Sequence, residues 1–89
     1  MKIKLELYGA SREFSEKEYL EFNLKEKSSI NDLRNEILSF IDKNFKGNDN
    51  FKKMVKSSKF CSEENNIVSD DYKITKEQNI GIIPPIGGG

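Results

Sequence analysis

One stripe of apolar side chains limits what this chain can become. Ile30, Leu33, Ile37, Phe40 or Ile41, and Phe45 recur at helical spacing, which places them on one face of an α-helix. Ser29 precedes the stripe as an N-cap, and Asp32 stands where a capping acid suits the first turn. Lys43 and Lys46 fall in or near the last turn, and Gly47 supplies a stop. A helix with one apolar face must bury it. The segments around it offer period-two alternation, so the stripe is read as the cover of a small sheet rather than as a groove for a partner.

Ile3, Leu5 and Leu7 alternate with Lys2, Lys4, Glu6 and Tyr8, the pattern of a strand with one buried face. Gly9 to Lys17 reads as a polar loop with Phe14 tucked back. Arg12 and Glu13 either pair across that loop or meet a partner. Tyr19 to Leu24 is a second strand, with Leu20, Phe22 and Leu24 on one face, and the loop before it suits an antiparallel hairpin. Asn48 to Ser58 is less clear. Phe51, Met54 and Val55 have helical spacing, and Lys52, Lys53, Lys56 and Lys59 form a positive patch. Acids follow at Glu63 and Glu64, and regularly spaced aromatics are missing, so the patch is read as a solvated face rather than a nucleic-acid site.

Lys59 to Ser62 is a third strand with Phe60 or Cys61 inward, and Cys61 is read as a small buried hydrophobe. Asn65-Asn66 marks a turn. Ile67-Val68 returns, Tyr72 and Ile74 anchor a connector, and Lys76 to Asn79 turns again. Ile80 to Ile83 is the last strand. One main helix on a small mixed sheet is an α+β arrangement. If the last strand lies beside the first, it is central and parallel to it.

Composition removes several function classes. At 89 residues the chain is one domain. The formal net charge is +0, so no general pull toward nucleic acid or an anionic membrane is expected. There is no histidine and one cysteine, which argues against a zinc site, a histidine-based catalytic group and an internal disulfide. No apolar run approaches the roughly 20 residues that span a bilayer, and the start carries no apolar signal region. A cytoplasmic protein is expected.

The chain closes on Pro84-Pro85-Ile86-Gly87-Gly88-Gly89. Consecutive prolines stop ladder pairing and favour a stiff, extended backbone. From Pro84 onward the tail can reach roughly 20 Å. Glycines without Cβ atoms can thread a channel that excludes other residues. The tip then delivers the α-carboxylate of Gly89, which becomes an acyl donor once activated, for instance as an acyl adenylate. No nucleotide site or catalytic group is legible in the chain, so the tail reads as a carrier arm.

This ending resembles that of the MoaD/ThiS-type ubiquitin-like sulfur carriers, in particular the small subunit of molybdopterin synthase. That family typically ends in Pro-Pro, an aliphatic residue, a variable residue and Gly-Gly, places taken here by Pro84-Pro85, Ile86, Gly87 and Gly88-Gly89. Leu7-Tyr8-Gly9-Ala10-Ser11-Arg12-Glu13 is similar to the family's first strand and the step after it. The resemblance implies a ubiquitin-like β-grasp over residues 1–83 and an extended tail over 84–89. It implies that an E1-like enzyme uses ATP to adenylate Gly89, which becomes a thiocarboxylate. The tail then gives its sulfur to a pterin precursor inside the larger subunit of a heterotetrameric synthase. No cofactor is bound by the carrier itself. Gly87 and Gly88 thread the channels. Pro84, Pro85 and Ile86 aim the tail, and Ile82 or Ile83, whichever faces outward, extends a hydrophobic patch for both partners. Three alternatives stay open: a carrier serving thiazole, cysteine or tungsten-cofactor synthesis, a protein modifier forming isopeptide bonds, and a ubiquitin-like binding module.

Overall fold

The computed structural model describes residues 1–86; the expectations for Gly87, Gly88 and Gly89 lie outside the described residues. In chain order the elements are β1 (Lys2–Leu7), a 3-10 turn (Gly9–Phe14), β2 (Tyr19–Asn23), α1 (Ile30–Asn44), α2 (Asp49–Ser57), β3 (Lys59–Cys61), β4 (Ile67–Val68) and β5 (Gln78–Ile83). The strands form one mixed sheet in the order β2-β1-β5-β3-β4. β5 is central and runs parallel to β1, and it pairs antiparallel with β3. The expected α+β architecture with a central last strand is present.

Alternation along the strands divides the sheet into two faces. The inner face carries the rows Leu20–Leu5–Ile80 and Leu7–Ile82–Phe60–Val68. Ile3, Leu5, Ile80, Ile82 and Phe60 are fully buried there. Helix α1 meets them with Ile30, Leu33, Ile37 and Ile41, all fully buried, while Phe40 packs only part-buried against the cluster.

The start of α1 leaves no donor unmet. The N–H of Ile30 donates to the Tyr72 carbonyl at 3.0 Å and that of Asn31 to the Asp70 carbonyl at 2.9 Å. Asp32 N–H donates to Ser29 Oγ at 3.1 Å, and Leu33 N–H to the Ser29 carbonyl at 3.1 Å. The Asp32 carboxylate in turn accepts from Ser29 N–H at 2.8 Å, closing a capping box. The connector anchored by Tyr72 and Ile74 is thus the second half of the helix cap. The Ser29 backbone and hydroxyl bonds hold the Asp32 carboxyl below its ordinary range. A depressed carboxylate stabilises the fold above its unfolded pKa, about 3.9, and that contribution disappears as pH falls through the folded value. Asp32→Asn is therefore expected to flatten the acid limb of a stability-versus-pH curve below about pH 4, read by urea unfolding, with little change in slope at neutral pH.

At its other end α1 stops through two left-handed residues, Lys46 and Gly47, and Gly47 N–H reaches back to the Ile41 carbonyl at 3.2 Å. Three stretches depart from expectation. β5 begins at Gln78, inside the expected turn from Lys76 to Asn79. The polar loop after β1 winds into the 3-10 turn, closed by Ser11, whose N–H and hydroxyl both donate to the Tyr8 carbonyl. The unclear stretch after α1 is helix α2, with Asn48 capping Phe51 N–H. Both are held by aromatic packing. Phe14 and Phe51 centroids lie 5.2 Å apart, Phe45 and Phe51 5.1 Å, and Phe14 and Phe45 6.2 Å. The two pairs with Phe51 are edge-on, a geometry that adds stabilisation beyond buried area, and Phe14–Phe45 is tilted.

Candidate functional site

Strand β5 ends at the root of the tail. Pro84 is buried beside the turn at Gly9, and Pro85 and Ile86 are exposed, Ile86 at 94%. The chain thus leaves the sheet at its centre. Of the two isoleucines expected to extend a partner patch, Ile82 faces inward. It pairs in register with Leu7 and Phe60 and is fully buried, so it packs core and offers no surface. Ile83, one residue on, points to the opposite face and is half-buried.

Among the described residues no helix covers that outer face. Its central row runs Tyr19–Glu6–Gly81–Cys61–Ile67 across all five strands. Gly81 sits in the middle of the row because a side chain there would strike Tyr8: a Cβ would lie 2.8 Å from Tyr8 Cε2. A glycine inside a strand pattern marks such a close approach. Tyr8, at the end of β1, folds its ring over this gap and stays 45% exposed. Its hydroxyl donates to Glu6 Oε2 at 3.5 Å. The negative charge of Glu6 raises the Tyr8 pKa, with partial burial adding to it, so the phenol stays neutral.

These residues line a groove of about 400 Å³ that also takes in Glu63, Asn79 and Ile83. Its apolar members are Tyr8, Cys61 and Ile83. Cys61, expected to be buried, is half-buried on this outer row, and Phe60 is the residue that turns inward. Ile67, 57% exposed, closes the outer row on the β4 side. Tyr8, Glu6 and Cys61 were not singled out as site residues from the sequence. The glycine at position 81, between isoleucines, was the available signal.

Other sequence candidates fall elsewhere. Arg12 and Glu13 are exposed on the 3-10 turn and form no ion pair among the described residues. Lys52 pairs with Asp42 at 2.8 Å, a contact that raises the Lys52 pKa, while Lys53, Lys56 and Lys59 are exposed. That agrees with a solvated face. No helix among the described residues is long and apolar enough to cross a membrane.

No family model matches the chain, and no curated protein matches it in sequence. Solved structures do match. A protein of Pyrococcus furiosus described as molybdopterin converting factor, subunit 1, superposes with a TM-score of 0.69 at 22% identity, over 96% of this chain and 98% of its own. SAMP1 from Haloferax volcanii superposes at 0.70 with 10% identity, over 100% of both chains. A Caldiarchaeum subterraneum ubiquitin superposes at 0.62 with 14% identity, over 100% of this chain and 98% of its own. The chain therefore has the ubiquitin-like β-grasp fold that these three structures share.

Proposed function

We propose that the chain is a sulfur carrier acting through the carboxylate of Gly89, and that it serves as the small subunit of a molybdopterin synthase. The observation that carries this reading is the route of the chain end. The central strand runs out through a buried Pro84 to an exposed Pro85 and Ile86, with the Gly-Gly-Gly end beyond. An apolar surface of Tyr8 and Ile83 lies on the open face at its root. The likeness to a protein described as molybdopterin converting factor, subunit 1, adds to it.

The chemistry balances without a catalytic group on this chain. In an E1-like enzyme, a Gly89 carboxylate oxygen attacks the α-phosphorus of ATP and pyrophosphate leaves. Sulfide displaces AMP and loses its proton, leaving a thiocarboxylate. That sulfur attacks an electrophilic carbon of the pterin precursor and displaces an oxygen leaving group from it, and water cleaves the resulting acyl–sulfur bond. The sulfur stays on the acceptor and Gly89 returns to a carboxylate. The Tyr8–Ile83 surface docks each enzyme in turn, Pro85 and Ile86 aim the arm, and Gly87 and Gly88 thread the channels. All of this is placed in the cytoplasm, where ATP is available.

Intact-mass spectrometry after incubation with an E1-like enzyme, ATP and sulfide tests the reading. The expected result is replacement of one oxygen by sulfur, localised to Gly89. An unchanged mass, with that enzyme active on its own carrier, counts against it. The likeness to a ubiquitin keeps one second reading, a modifier joined to lysines through Gly89. Denaturant-resistant conjugates of higher mass in cell extract would favour that one.

A further inference from the structure

We propose that the groove over Gly81 is a receptor for an arginine side chain of the protein that engages the tail. This deepens the carrier reading and rests on it for the identity of that protein. The recess itself is built from this chain alone.

Three features make it a site for a guanidinium. The first is space. Gly81 brings no side chain of its own to the outer row; the Tyr8 ring takes the space directly above it, and the groove beside that ring holds about 400 Å³. The second is an aromatic wall. Tyr8 lies along the gap and stays 45% exposed, so part of its ring faces the groove. The third is charge. Glu6 lies opposite Gly81 in register, and its carboxylate has no cationic partner among the described residues. Among the described residues it accepts one side-chain hydrogen bond, the long one from the Tyr8 hydroxyl at 3.5 Å. The nearest lysine on the same strand face, Lys4, instead sets its ammonium 4.1 Å from the Tyr19 ring centroid. Glu63 adds a second carboxylate to the lining and is held only by a loose, exposed contact with Lys76 at 3.8 Å.

A carboxylate beside an exposed ring suits arginine better than lysine. The planar guanidinium can donate two parallel hydrogen bonds to Glu6 while it stacks on Tyr8. Glu6 raises the Tyr8 pKa and Arg12 opposes it, with the net direction upward, so negative charge prevails at the ring. Ile83 lines the groove and directly precedes Pro84. A protein that grips the tail therefore covers the groove, and an arginine on its surface would meet Glu6 there.

The test uses N-acetyl-arginine amide as the probe and its citrulline counterpart, which has nearly the same shape without the charge. Both are titrated into the full chain and followed by amide NMR spectra. The expected result is that shifts centre on Glu6, Tyr8, Cys61 and Gly81 and that arginine binds at least about fivefold tighter than citrulline. In Glu6→Gln the arginine response should fall to the citrulline level. Equal responses to the two probes, shifts centred elsewhere, or an unchanged response in Glu6→Gln would overturn the receptor. Sulfur loading of Gly89 is measured separately. Normal loading without an arginine-specific response removes the receptor and keeps the carrier. A specific response without loading keeps the recess and removes the carrier.

Discussion

Gly88→Val is expected to abolish sulfur loading and transfer while leaving the fold intact. Pro84 is the last buried residue among the described ones, and Pro85 and Ile86 after it are exposed, so a valine further along the arm is expected to leave the core as it is. Its effect on stability should stay within about 0.5 kcal/mol, the usual range for a surface change. The effect on chemistry is different in kind. A β-branched side chain near the tip widens the thread and removes its conformational freedom. Displacing a reacting group by even an ångström costs about 100-fold in rate, so a loss of at least that size is expected at both enzymes. Thiocarboxylate yield by intact mass and urea unfolding on the same preparation separate the two effects. A normal yield would mean that the glycines are not threaded. A large loss of stability would mean that the tail packs on the fold.

Arg34→Ala should produce the largest loss of stability of any single polar change. Arg34 projects from α1 with only 12% of its side chain exposed. Nη1 donates to three carbonyls around the end of α2: Val55 at 2.6 Å, Lys56 at 3.1 Å and Ser58 at 2.9 Å. Nη2 meets Asp70 at 2.6 Å, and the guanidinium lies 4.9 Å from the Phe60 ring centroid. The last carbonyls of any helix lack partners within it, and here one side chain from another helix supplies them. Alanine takes this donor from the Lys56 and Ser58 carbonyls, while Val55 keeps the Ser58 N–H at 3.2 Å, and removes a support under Phe60. Asp70 is 55% exposed, so the ion pair itself adds little. The total expected loss is about 2–4 kcal/mol, or roughly 10–25 °C in Tm for a domain of this size. Asp70→Asn should lose at most about 1 kcal/mol. If Arg34→Ala unfolds within about 0.5 kcal/mol of the parent, water satisfies the carbonyls and the clasp is idle.

Arg34 also marks the limit of what spacing along a chain can reveal. Its partners lie more than 20 residues away, and nothing in the local pattern distinguishes it from the solvated charges around it. The same limit applies to the groove. Gly81 passed unremarked within the last strand, and the residue that approaches it, Tyr8, is distant in sequence and looked like any outward strand residue. Ile82 and Ile83 could not be assigned to faces until the register of β5 against β1 was known, because a slip of one residue exchanges every face. The register buries Ile82 and turns Ile83 outward. The choice between Phe60 and Cys61 as the inward residue of β3 stayed open for the same reason, and the register turns Phe60 inward.

Local physical chemistry wrote the rest directly into the chain. Ser29 and Asp32 lie three residues apart, so the capping box closes within one turn and starts α1 at Ile30. Period-two alternation at Ile3, Leu5 and Leu7 makes a strand with one wet face whatever lies beside it. Pro84 and Pro85 end the ladder because they have no N–H to give. Those effects act over a few residues and need no partner. Strand order, the parallel seating of β5 beside β1, the aromatic packing that winds Phe14 and Phe51 into short helices, and the recess over Gly81 are decided only when distant segments meet. Side-chain volume and unpaired backbone groups then choose among arrangements that the local pattern leaves equal.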